Sequence, residues 1–401
     1  MVAVAKAGSR RARGEKIDLA TAKSLKHALE TDFSAVTSPI SVLEAFCDVR
    51  PENEFAQSLR EIPVRHLGAV MATHDTGLLR QLMRGKPLAG GLPPIRAHVG
   101  QKTPPRLSVG YRLADDEAFA LEVRLQHADV QSVLYAKTLV EQRVGNAVPI
   151  GILSGISGQS GVHPVALNNG PLALGASVAH VSGGPGTLGI FVNMGQTAGF
   201  LSCSHVLSNC GNAVAGDVIH HPAPCDSLDH AGIGALRRFV DLRADGPFDM
   251  DVAFAELVAG TPTNGNRIPS GHDWPREGKY LGIPVEGNLP EPRPVVAKIG
   301  RSTGRTTGTV ALENVGPIDI YMQELGYNVA VDGLIEVHWD AVNKPFSGLG
   351  DSGSIVYLPD SLEPVGIIVA GGFATIEKVK VGVSYVSPLS PILKSWDLSL
   401  S

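Results

Sequence analysis

The chain is short of the features that would place it in several large classes. No apolar run approaches the ~20 residues that a membrane helix needs, so no spanning helix is expected. Only four cysteines, Cys47, Cys203, Cys210 and Cys225, occur in 401 residues. They do not make a disulfide scaffold, and a reducing, cytoplasmic setting is expected. Positive charge is not in excess: the formal net charge is -5. Nucleic acid is thereby disfavoured as a partner, because phosphate binding calls for a basic surface. Residues Met1–Lys6 precede Arg10, Arg11 and Arg13 without a continuous apolar segment, so no secretory leader is expected. What the chain does have is 46 glycines and 28 prolines, with 43% hydrophobic and 18% charged residues. That is a globular, turn-rich and mainly β composition, and the length suits two or three domains.

Taken in order, residues 1–16 read as a basic, flexible tail. From Ile17 to Met83 the pattern is weakly helical, with Ala20, Leu25, Ala28 and Leu29 on one face and Leu78, Leu79, Leu82 and Met83 on another. Pro39, Pro51 and Pro63 divide it, and Gly85–Pro105 reads as a linker, so 1–105 forms one tail-and-helix region. Residues 106–155 read as a small ββαβ module: strands over Arg106–Leu113, Ala118–Leu125 and Val148–Leu153, with an amphipathic helix over Asp129–Val144. It carries no catalytic constellation. Ser154–Asn169 reads as turns. From Leu172 to about Val386, short β runs recur at the spacing of a barrel or sandwich, and Pro391–Trp396 reads as a short helix.

Within the β region one stretch stands out: Gly348-Leu-Gly-Asp-Ser-Gly-Ser354. Gly350 and Gly353 permit backbone conformations that a Cβ opposes. A tight turn there can expose the Ser352 hydroxyl and aim the amides of Gly350 and Ser352 at one point, as an oxyanion hole requires. Read alone, this stretch is equally well a glycine-rich turn. A nucleophilic serine also needs a base and a group that orients it. His205 ends the apolar run Gly199-Phe-Leu-Ser-Cys-Ser-His205. His220-His221 is its rival, near Cys225, but His-x-x-x-Cys is a weak metal-ligand spacing. Asp251 heads the apolar run Val252–Leu257, where a buried carboxylate needs a partner. Asp249 is the fallback, on the same side of the strand. Gly300–Gly308 lacks the Gly-x-x-x-x-Gly-Lys-[Ser/Thr] of a phosphate loop, and Gly183-Gly-Pro-Gly186 reads as a hairpin turn.

The order His205, Asp251, Ser352, carried by Leu201-Ser-Cys-Ser-His-Val206, Asp251-Val-Ala-Phe-Ala-Glu-Leu257 and Gly350-Asp-Ser-Gly-Ser354, resembles the trypsin-like serine proteases over roughly 172–396. Pro171–His180, Gly186-Thr-Leu-Gly189 and Ile299–Val310 resemble a bacterial branch related to the plant NARROW LEAF 1 proteins, with Cys203-Ser204 in place of two asparagines. The resemblance implies a mainly β fold: a double antiparallel barrel of chymotrypsin type within 170–400, preceded by an α/β region. Barrel one is expected at about 172–290 and barrel two at about 294–386. It implies a serine endopeptidase acting on a protein or peptide, with His205, Asp251 and Ser352 catalytic and Gly350 and Ser352 forming the oxyanion hole. Phe346, Ala370 and Gly371 would line the substrate pocket. No cofactor, metal or membrane is implied, and the plant kinship implies a homo-oligomer. In relatives activated by cleavage, the residue equivalent to Asp351 pairs with a new N-terminus. No Arg/Lys-Ile-Val-Gly-Gly is present, so Asp351 is expected to find another partner. A catalytically silent binding module and an esterase using the same triad are the alternatives.

Overall fold

A computed structural model describes residues 17–35, 104–115, 118–144, 148–158, 170–269 and 278–401. The expected tail, the Leu78–Met83 stripe, most of the linker and Cys47 lie outside these residues. The described chain is mainly β and is built on two closed antiparallel rings.

The first ring uses β4 (Ser177–His180), β6 (Ile190–Met194), β7 (Thr197–Ser202), β8 (Val218–His221), β9 (Ala231–Phe239) and β10 (Ala253–Leu257). Ladders join them in the order β6-β7-β10-β9-β8-β4. Main-chain bonds from Gly175 N to Leu188 O (3.0 Å) and Leu188 N to Ala176 O (2.8 Å) close the circle. A two-residue strand, β5 (Gly186–Thr187), pairs with β4 after the turn at Gly183–Gly186.

The second ring uses β11 (Val295–Gly300), β12 (Gly304–Val315), β15 (Leu334–Trp339), β16 (Ile355–Tyr357), β17 (Pro364–Ile376) and β18 (Val379–Pro388). Its ladder order is β11-β12-β15-β18-β17-β16, and β16 returns to β11. Numbered within each ring, both follow the order one-two-three-six-five-four. The two barrels therefore share one Greek-key plan, and strands that run beyond the second ring keep an edge open for further pairing. The fold is the double barrel that the resemblance implied. The β runs work as strands because their apolar residues are buried: in the first ring Val192, Leu201 and Phe254 on one face and Phe200 and Ala255 on the other, and in the second Val296, Val310, Val337, Val356 and Ile368, all nearly solvent-free.

Ahead of the barrels, α1 (Leu19–Ala35) packs on β1 (Arg106–Asp115) and β2 (Ala118–Gln126), followed by α2 (Val130–Val144) and β3 (Ile150–Gly158). Asp18 caps α1 by accepting from Thr21 N at 2.7 Å, and Asp129 caps α2 by accepting from Ser132 N at 2.9 Å. The buried stripe of α1 is Ala22, Leu29 and Phe33, and Ala20 faces solvent: the helix is turned slightly from its expected face. Strand β1 continues into the second barrel's sheet through Tyr111 opposite Glu313. Strand β3 runs through Ser154–Gly158, which the sequence suggested as turn. These small residues are strand because they pair with β17 on one side and with β13 (Ile318–Met322) on the other. Leu153 and Ile156 anchor β3 in the main apolar core, each burial contributing roughly 1.5–3 kcal/mol.

After β18, α4 (Leu389–Trp396) leads to β19 (Leu398–Leu400), which pairs with β6 of the first barrel. No helix among the described residues is long and apolar enough to cross a membrane.

Candidate active site

His205 does not end the strand directly. Strand β7 stops at Ser202, and the chain turns into α3 (Ser204–Leu207), which carries His205. The turn forms because its first amides have an acceptor: Asp251 Oδ1 receives Ser204 N at 2.8 Å and His205 N at 3.2 Å. The other carboxylate oxygen, Asp251 Oδ2, lies 2.5 Å from His205 Nδ1. One carboxylate thus caps the turn and fixes the imidazole it presents. Asp251 is wholly buried and sits two residues before β10; Asp249 is exposed.

Burial alone would lower the His205 pKa. The Asp251 charge and hydrogen bond outweigh it, and the net direction is up. His205 Nε2 is buried and has no hydrogen-bond partner among the described residues.

Ser352 comes from the other barrel, on the connection between β15 and β16, with 3% of its surface exposed. Contacts with the first barrel place its turn. Thr187 N donates to Ser352 O at 2.8 Å, and Thr187 Oγ1 donates to Gly350 O at 2.8 Å. Gly353, at φ 95°, leaves room for Ser202 Oγ and Thr187 O, which stand 2.1 and 2.2 Å from where a Cβ would be. Gly350 has φ 91°. The amide of Asp351 is bonded to Gly348 O at 3.0 Å, whereas those of Gly350 and Ser352 donate to no acceptor among the described residues. Two neighbouring donors are therefore available for a developing oxyanion.

Asp351 is held internally. Its Oδ2 takes Lys298 Nζ at 3.0 Å, Thr303 Oγ1 at 2.6 Å and Gly348 N at 2.9 Å. Its Oδ1 takes Ser302 N at 2.9 Å and Thr303 N at 3.2 Å. Both side chains of the Lys298–Asp351 pair are fully buried. Burial would raise the Asp351 pKa, but the Lys298 charge and the hydrogen bonds hold it below the usual carboxylate range. The Lys298 ammonium also donates to Gly304 O at 2.9 Å and to Thr303 Oγ1, so each of its protons has an acceptor. Sequence reasoning missed Lys298, although a lone lysine inside Val295-Val-Ala-Lys-Ile-Gly300 was the available signal. It also missed the clasp between the barrels, in which Arg301 Nε donates to Asp226 Oδ2 at 3.0 Å and Arg301 N to Thr187 Oγ1 at 3.1 Å.

The remaining candidates are placed as follows. Phe346 is wholly buried in the second barrel's core, and Ala370 is buried on β17. Gly371 faces β3. His221 Nδ1 lies 2.7 Å from Ser177 O, and His220 Nδ1 lies 3.0 Å from His230 Nδ1. Cys203, His205 and Asp251 bring three possible ligand atoms together. The Cys203 thiol donates to Ile368 O at 3.1 Å, however, and burial followed by the Asp251 charge raises its pKa well above the ordinary value. With Nδ1 of His205 already engaged, the set suits proton chemistry rather than metal binding. Cys203, Cys210 and Cys225 are free thiols.

No family model matches the chain, and no curated protein matches it. Solved structures do. Thermobifida fusca Protease A aligns over 57% of this chain and 98% of its own, at 17% identity and a TM-score of 0.37. Cellulomonas bogoriensis chymotrypsin aligns over 57% and 98%, at 18% identity and a TM-score of 0.38. A glutamic-acid-specific serine protease, described as using a histidine triad in substrate binding, aligns over 57% and 100%, at 18% identity and a TM-score of 0.39. These neighbours are serine proteases of the trypsin and chymotrypsin fold. The comparisons lend no support to the plant NARROW LEAF 1 kinship.

Proposed function

We propose that the chain is a serine endopeptidase that cleaves peptide bonds through Ser352, His205 and Asp251. The observation that carries this reading is the buried contact between His205 Nδ1 and Asp251 Oδ2 at 2.5 Å, in a carboxylate fixed by two further amides. It is supported by the serine turn of the other barrel, whose Gly350 and Ser352 amides donate to no acceptor among the described residues; no hydrogen bond joins Ser352 to His205 Nε2 in the resting structure, so that contact has to form during the reaction.

In this mechanism Ser352 Oγ attacks the peptide carbonyl carbon while His205 Nε2 takes the hydroxyl proton. The carbonyl oxygen becomes an oxyanion between the amides of Gly350 and Ser352. Collapse breaks the C–N bond, His205 returns the proton to the leaving amine, and an acyl-enzyme remains. Water, deprotonated by His205, then releases the acid and restores Ser352. Asp251 orients the ring and stabilises its charged form throughout.

Ser352→Ala is expected to lower turnover of a casein or peptide substrate by roughly a millionfold. Unchanged turnover in the purified variant would refute the reading. A catalytically silent trypsin-fold binder is the second reading, favoured by one observation: His205 and Ser352 are only 2% and 3% exposed. Labelling of Ser352 by a fluorophosphonate separates the two, because only an activated serine reacts.

A further inference from the structure

One strand of the chain, β3, approaches His205. Strand β17 is tied to the serine turn at Ile368: Gly353 N donates to Ile368 O at 2.8 Å, and Ile368 N donates to Ser354 O at 2.9 Å. Farther along the same strand, Gly371 is opposite Ser157, and the ladder continues to Ile376 opposite Gly151. On the other side, Tyr321 and Met322 of β13 are opposite Ser157 and Gly158. An extended segment lying between these two strands is therefore delivered, at its C-terminal end, to the catalytic histidine. Gly158 arrives there: a Cβ on it would stand 3.3 Å from His205 Cε1, 3.4 Å from Nε2 and 3.0 Å from Met322 Sδ.

The fit is that of a ligand strand in a groove. Main-chain pairing supplies the register, and the inward-turned side chains supply the seat. Leu153 and Ile156 are buried while Ser154 and Gly155 face outward. The backbones approach closely where both sides are glycine, since a Cβ on Gly372 would stand 2.6 Å from Gly155 O. Gly155, at φ 62°, lies within the register shift that lets Ile156 turn inward.

We propose that Ser154–Gly158 occupies the groove that receives the acyl side of a substrate. The resting protein then holds a substrate-like strand of its own. External substrates are extended peptides with a glycine or similarly small residue beside His205, and they bind once that strand has left. The proposal rests on the peptidase reading for its catalytic meaning, but the occupancy can be tested apart from it.

The test uses the full chain and two variants. Ile156→Asp sets a carboxylate in the apolar seat, and Gly158→Val sets a branched side chain against Met322 and His205. Either is expected to raise the rate of fluorophosphonate labelling at Ser352 by about tenfold or more, because the open state becomes populated. A synthetic peptide spanning Ile150–Gly158, added in excess, should slow labelling again. Folded variants that label no faster than wild type overturn the proposal. Hydrogen exchange supplies a readout that needs neither catalysis nor a well-folded variant. The β17 amides between Gly371 and Ile376 that face β3 should be protected in the wild-type protein, and exchange there at free-peptide rates overturns the proposal. Absence of labelling in every form, with those amides protected in wild type and exposed in Ile156→Asp, sinks the peptidase reading alone.

Discussion

At the scale of single residues, Asp251 has two tasks. Its carboxylate accepts from the Ser204 and His205 amides and from His205 Nδ1. Asp251→Asn keeps the volume but replaces one acceptor oxygen with an NH2 group. A drop in kcat of roughly ten-thousandfold is expected, with the imidazole held in the wrong tautomer. The pH profile supplies a second mark. His205 must be neutral to act as base, so activity should rise with pH through a midpoint above the ordinary ~6.5 of histidine, since Asp251 overrides the effect of burial. In Asp251→Asn burial is opposed only by the weaker effect of the Glu324 charge, and the midpoint should move down. Rate measurements from acid to alkaline pH check both marks. His205, Asp251 and Ser352 were legible because each interrupts an apolar or glycine-rich run with a group that is costly to bury alone. Thr187 was not legible, because its role lies in bonds to Gly350, Ser352 and Arg301, which are remote in sequence.

At the scale of elements, the serine turn is held by a neighbouring hairpin. The β11–β12 connection supplies Ser302 N and Thr303 N to Asp351, and β11 itself supplies Lys298. No freed terminus is needed to charge-balance Asp351. Lys298→Met leaves that carboxylate buried and unpaired, which is expected to cost about 3–5 kcal/mol of stability and most of the turnover. Adding Asp351→Asn to Lys298→Met should recover much of the stability, as measured by urea unfolding of both singles and the double. Additive losses would argue that the two side chains act independently. Strand β3 marks the limit of sequence reading here. Ser154-Gly-Ile-Ser-Gly158 has no alternation or β-rich composition of its own. It is strand because two other strands offer their edges to it.

At the scale of the whole molecule, recurring short β runs announced barrels, but not that both rings have the same strand order. That order is set by which ladders close over long separations, information that local patterning does not hold. Long-range burial also gives the molecule a pH dependence. Glu313 accepts from Leu289 N at 3.0 Å, and burial pushes its pKa from 4.5 up to about 7. Glu30 is likewise raised to about 7 by burial, with Lys26 opposing. Folding therefore takes up protons at these two carboxyls. The stability they contribute is full below pH 4.5 and is lost as pH rises through about 7. The melting temperature should accordingly decline from about pH 5 to about pH 7, and Glu313→Gln should flatten part of that decline. An unchanged slope in the variant would rule Glu313 out as a source.

Strand β3 precedes every strand of both barrels in the chain. A ribosome adding about 5–20 residues per second emits Gly158 roughly 10–40 s before Ser352. During biosynthesis the groove is thus made later than the segment that lies in it. On the proposed occupancy, the strands of the second barrel emerge with the groove's occupant already attached to them.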